Sequence, residues 1–199
     1  MNTIEEKITK ENYWEMIKIT SASTKSVVCD IFMDGFPKYK KVRIQNAEYG
    51  GSKKKAECWV TFEDWAYLAN RVLRGELFRE LEKIETEKDP KKDSVVISIG
   101  GSPSSKNYNG APESRMIKLK KSKDSIFINI TRGKGKLSET GAILPDGAPD
   151  VVVGVPVKAE KLASMILYTH DYINAYLAGY VSRLCKDLKD YNEANNNNQ

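Results

Sequence analysis

The hydrophobic period of the chain switches from two residues to about 3.6, and it does so twice in the same order with a break between. Residues 26–32 alternate and are rich in β-branched side chains, which predicts a strand, and residues 41–49 and 56–62 predict two more. Gly35-Phe36-Pro37 and Gly50-Gly51-Ser52 read as the turns. Thr61, followed three residues later by Asp64, has the form of a helix start. Trp65, Leu68, Ala69, Val72, Leu73, Leu77, Leu81 and Ile84 continue at helical spacing to residue 88, with a bend expected at Gly75. Asp89-Pro90-Lys91-Lys92-Asp93 then stops the pattern and reads as a linker.

Beyond the linker the order returns. Strands are predicted over residues 94–101, 115–121, 125–132 and 151–157, followed by a helix with a wide apolar stripe from Leu162 to Leu188. Lys25-Ser26-Val27-Val28 and Asp93-Ser94-Val95-Val96 open the two halves alike. The expectation is an α+β fold of two tandem sheet-then-helix units, antiparallel strands each followed by a long amphipathic helix. The units span residues 1–89 and 93–191, packed as one compact domain, and the polar residues 192–199 read as a disordered tail. Residues 11–19 suit either a short helix or an extra strand. A second helix of about 30 residues reaches about 45 Å, farther than one small sheet covers. Its surplus length suggests a homo-oligomer formed through residues 172–188, from Tyr172 to Leu188.

Charge narrows the partners. The net charge is +5, and its distribution is uneven: residues 38–55 carry seven Lys or Arg against Glu48, and residues 102–136 carry nine against Glu113 and Asp124. Acids gather instead on residues 76–93. Cys29, Cys58 and Cys185 form neither a disulfide framework nor a metal knuckle, and the apolar company of the first two suggests small buried hydrophobes in a reducing, intracellular compartment. No signal peptide pattern opens the sequence and no run of about 18 apolar residues occurs, so no membrane partner is expected.

Residues two apart in a strand share a face. Val42 and Ile44 therefore oppose Lys41 and Arg43, Cys58 and Val60 oppose Trp59, Ile117 and Leu119 oppose Lys118 and Lys120, and Ile126, Ile128 and Ile130 oppose Phe127. If helices cover the aliphatic side, one open face shows Lys41, Arg43, Trp59, Lys118, Lys120 and Phe127. Tyr39, Tyr49, Tyr108, Arg132, Lys134 and Lys136 are expected in nearby loops, the last three in a hairpin-like Arg132-Gly133-Lys134-Gly135-Lys136 loop whose amides and charges suit a phosphate. Unpaired bases stack on rings, worth about 1–3 kcal/mol per base, while Lys and Arg meet the phosphates. The expected partner is single-stranded DNA or RNA, bound with little sequence preference.

Tandem units of strands and a helix, with the helices entered through Val60-Thr61-Phe62-Glu63-Asp64-Trp65 and Val155-Pro156-Val157-Lys158-Ala159-Glu160, resemble the Whirly and positive-cofactor-type single-strand binders. The likeness is architectural and covers residues 26–188; Arg132-Gly133-Lys134-Gly135-Lys136-Leu137 is loosely similar to the lysine-glycine-lysine stretch of the Whirly proteins and departs from it after the second lysine. The resemblance implies sequence-tolerant binding of single strands on the sheet, oligomers, and a role in replication, recombination or transcription of a virus, plasmid or cell.

Catalysis finds few candidates. His170, the one histidine, falls in the second helix beside the apolar stripe, which excludes a multi-histidine metal site. Gly100-Gly101-Ser102-Pro103-Ser104-Ser105-Lys106-Asn107 lacks the glycine before the lysine and the hydroxyl after it that a P-loop needs. Asp30, Asp34 and Glu57 are the acids available to a magnesium-dependent nuclease, a reading that competes with a protein-binding module acting through the helices. No catalytic residue, metal or cofactor is assigned.

Overall fold

The computed structural model describes residues 18–33, 40–51, 53–88 and 92–196. Among the described residues the fold is α+β, with two antiparallel sheets and three α-helices. The first sheet is a meander in the order β1 (Lys18–Ser23), β2 (Val27–Phe32), β3 (Lys41–Glu48) and β4 (Lys55–Thr61). Two helices follow, α1 (Phe62–Leu73) and α2 (Glu76–Glu87). The second sheet is built from β5 (Val95–Ser102), β6 (Glu113–Ser122), β7 (Ser125–Leu137), the short β8 (Ile143–Pro145) and β9 (Val151–Val157), with β8 and β9 both pairing with β7. The last helix, α3, covers Ala159–Asn196.

Alternation decides the core. In the first sheet Ile31, Ile44 and Cys58 lie side by side in register, and in the second Val95, Leu119, Ile128 and Val155 do the same. These aliphatic faces meet in one buried cluster with Trp65 and Leu68 of α1 and Leu162, Met165 and Ile166 of α3. β4 reaches across β5, β6, β7 and β9, and β9 lies against all four strands of the first sheet, so the two sheets cross. The helices thus join a core between two sheets, whereas the sequence alone suggested helices covering each aliphatic face. Asn46, fully buried among those side chains, pins the crossing: its Nδ2 donates to the carbonyls of Ile128 at 2.7 Å and Val153 at 2.9 Å, joining β3 to β7 and β9.

Local chemistry sets the helix ends. Thr61 caps α1 as its spacing predicted, with its Oγ1 accepting from the Asp64 amide at 3.1 Å. Gly75, at φ +69°, divides the expected single helix into α1 and α2, a conformation glycine takes without steric penalty. The helix α3 is longer than expected: its 38 residues reach about 57 Å and run through residues 192–196, which the sequence assigned to a tail. Residues 197–199 lie outside the described residues, as does most of the ambiguous 11–19 segment, of which Lys18 and Ile19 open β1. Cys29 and Cys58 are buried, and burial pushes their thiols up to about 12 and about 11, while Cys185 is exposed on α3. Among the described residues no helix is long and apolar enough to cross a membrane.

Candidate functional site

The residues expected on one open face are divided among three places. Lys41, Arg43 and Trp59 point away from the core on the first sheet, and Lys118, Lys120 and Phe127 point away from it on the second, with Lys120 directly across from Phe127. Because the aliphatic sides of the sheets face one another, these two outer faces look in opposite directions. Arg132, Lys134 and Lys136 fall on neither. They belong to β7 rather than to a loop, and parity puts them on the side of Ile126, Ile128 and Ile130, where the strand runs on past the aliphatic core.

Exposure sorts them further. Arg43 is 5% exposed and is corrected from surface to interior: its guanidinium lies 4.3 Å from the Phe32 ring centroid and donates to Gln45 at 2.9 Å and Glu57 at 3.4 Å. With those partners the charge tolerates desolvation, but it is withdrawn from any ligand. Lys120 is exposed yet donates to Asp93 at 2.8 Å, which holds that carboxyl below its ordinary range. Lys134 pairs with Asp146 at 3.7 Å. Lys41, Lys136 and Tyr49 are exposed, Lys118, Phe127 and Arg132 half-buried, and Tyr39 lies outside the described residues. Tyr108 is half-buried with its hydroxyl donating to Asp150 at 2.7 Å; burial, then that bond, push it up to about 12.

A site that the sequence did not assemble lies where the edges of β4 and β5 meet. There a cleft of about 380 Å³ is lined by Lys41, Trp59, Thr61, Ile99, Gly101 and Arg115. Ser98 Oγ donates to the Trp59 carbonyl at 3.2 Å and ties the two edges together. The Arg115 guanidinium lies 4.9 Å from the Trp59 ring centroid, its Nη1 is 3.3 Å from Glu57, and its Nε donates to Glu113 at 2.6 Å. Glu113 is fully buried and also accepts from Ser105 Oγ at 2.8 Å and Asn107 Nδ2 at 2.7 Å. Burial alone raises its pKa; the three donors outweigh that and hold it below the ordinary carboxylate value.

A chain of alternating charge, Arg43, Glu57, Arg115 and Glu113, therefore crosses the seam between the sheets, capped by the rings of Phe32 and Trp59. Gly101 lets β5 close on β6 beside the cleft. At φ +152°, a Cβ there would stand 1.8 Å from the Glu113 carbonyl oxygen, so β5 approaches β6 at a distance only glycine allows. Arg115 carries no signal in the sequence, since by alternation it shares the aliphatic side of Ile117 and Leu119.

The acids considered for a magnesium site are differently engaged. Asp30 is buried 3.4 Å from Lys18, Gln45 of β3 stands between it and Glu57 in register, and Asp34 lies outside the described residues. His170 is half-buried on α3, 3.3 Å from the Asn174 side chain. No family model matches the chain, and no similar curated protein is found.

Proposed function

We propose that the protein binds single-stranded nucleic acid, DNA before RNA, with little sequence preference, and that the cleft between β4 and β5 is where the strand enters. The observation that carries this reading is the half-buried indole of Trp59 in a cleft with Arg115 beside it and the exposed Lys41 at its rim. A base stacks on such a ring, and cations around it meet the phosphates on either side. Two further groups of cations extend the reach. Lys53, Lys54 and Lys55 stand at the turn after β3 beside exposed Tyr49, and Lys134 and Lys136 lie on the far part of β7. The order of sheet, helices, sheet and helix supports the resemblance to tandem Whirly and positive-cofactor-type units, and with it a role in replication, recombination or transcription.

Titration with labelled oligo-dT tests the reading. Log affinity is expected to fall with log salt at a slope of about −0.7 per phosphate neutralised, and Trp59→Ala to weaken binding by about 1–3 kcal/mol. A salt-independent affinity, or an unchanged one in Trp59→Ala, contradicts it.

The same proposal includes self-association through residues 172–188. Most of the described side chains of α3 from Asp171 to Lys189 are exposed, Tyr172 and Val181 among them, and a helix of this length gains by covering that surface with another copy. Light scattering is expected to return a mass above the 22.4 kDa of one chain; a monomer's mass removes this part.

A further inference from the structure

The arginines of the described chain differ in what neutralises them. Arg43 and Arg115 share Glu57, Arg71 pairs with Glu80, Arg74 stands 3.9 Å from Glu76, and Arg79 donates to a helix carbonyl. Arg183 is exposed on α3, where water solvates it. Arg132 has neither arrangement. It is half-buried, its Nε is shut off from solvent with no hydrogen-bond partner, and no described acid lies within ion-pair distance of its guanidinium.

Such a group is costly to keep without a partner. Nearby acids are occupied: Asp150 accepts from the Tyr108 hydroxyl at 2.7 Å, and Glu113 is filled by Ser105, Asn107 and Arg115. In the ladder Arg132 lies directly across from Arg115, on the same side, so their backbones stand one strand spacing apart, about 4.8 Å. Of this pair, Arg115 is held by two carboxylates beside Trp59, and Arg132 retains its charge. Along β7 the same side continues to Lys134 and Lys136.

We infer that Arg132 seats one phosphate oxyanion of the bound strand, next along from the base that stacks on Trp59. The inference rests on the single-strand reading above and adds to it the residue that fixes the register of the backbone. Through its two Nη groups, for which no described partner exists, a planar guanidinium matches a phosphate in the bidentate way that lysine does not. The oxyanion comes either from an internal phosphodiester or from a terminal 5′-phosphate.

Both sources are separable by anisotropy with labelled oligo-dT carrying or lacking a 5′-phosphate, measured over a salt series on the full chain. Arg132→Ala is expected to lower affinity about ten-fold and to reduce the magnitude of the salt slope by about 0.7. Arg132→Lys keeps the charge and tests the geometry without emptying the site; it is expected to keep the slope and lose part of the affinity. If the 5′-phosphate strengthens binding to the wild type and not to Arg132→Ala, the seat takes the terminal group. If Arg132→Ala weakens both oligomers alike, it takes an internal one. Wild-type affinity and slope in Arg132→Ala, with Trp59→Ala still weakened, overturn the seat and leave the single-strand reading standing. A wild-type protein that binds neither oligomer removes the reading and the seat together.

Discussion

Trp65→Ala is expected to cost about 3–5 kcal/mol of folding stability, the largest loss of any single side-chain truncation considered. Trp65 is 1% exposed and is among the largest fully buried side chains in the protein. Its position follows from α1, where the cap at Thr61 fixes the start of the helix and so aims residues 65, 68, 69 and 72 at the core. The indole Nε1 donates to the Ile166 carbonyl of α3 at 3.1 Å, so one side chain fills the core between the sheets and also ties the helix of the first half to the helix of the second. Alanine leaves a cavity that two crossed sheets and a 38-residue helix cannot close without shifting together. Trp65→Phe keeps most of the volume and loses the bond, at about 1–2 kcal/mol. Urea unfolding followed by circular dichroism checks both values through the midpoint at constant slope. A loss below about 1 kcal/mol for Trp65→Ala means that α1 and α3 do not share this core.

How far the sequence reached can be judged strand by strand. Alternation placed Ile44, Cys58, Ile117 and Ile128 on the buried sides correctly because each has aliphatic neighbours at i±2 that the helix or the other sheet must cover. The capping spacing at Thr61 and Asp64 was equally readable, being a local bond. Arg43 was not, because burying a guanidinium depends on Glu57 fourteen residues away and on Phe32 in the neighbouring strand, partners that only register brings together. Arg132, Lys134 and Lys136 were misread as a loop since Gly133 and Gly135 suggest a turn. In the structure both glycines are buried strand residues: a Cβ on Gly133 would meet the backbone of Pro149 at 3.0 Å, and one on Gly135 the Ser114 amide at 2.9 Å. The cleft itself was out of reach, because it forms between the edges of strands from different sheets and their crossing leaves no periodic trace.

Glu113→Gln is expected to destabilise the protein by about 2–4 kcal/mol at neutral pH, and the size of that loss is expected to depend on pH in a set direction. The wild-type carboxylate takes three donors while fully buried. Glutamine replaces one of the accepting oxygens by an amide that must face a donor, and it deprives Arg115 of one of its two acids. The folded-state pKa of Glu113 lies below the ordinary 4.5, so its contribution is fully present above that value and is lost as pH falls through the folded one. As pH falls through that folded-state value the wild-type carboxyl is protonated too, and the gap between wild type and Glu113→Gln is expected to narrow. Urea unfolding of both proteins over a series of pH values from neutral downward measures this, and a gap that stays constant to the acid limit of the folded state contradicts the assignment. The same substitution separates the structural role of the network from its role at the site. Glu113 does not line the cleft; it holds the lining residue Arg115 from behind, with Ser105 and Asn107 holding it in turn. Where Glu113→Gln remains folded, the freed guanidinium is expected to loosen over the indole, so that affinity for oligo-dT falls several-fold while the salt slope, set by the number of cations and not by their orientation, stays as it was.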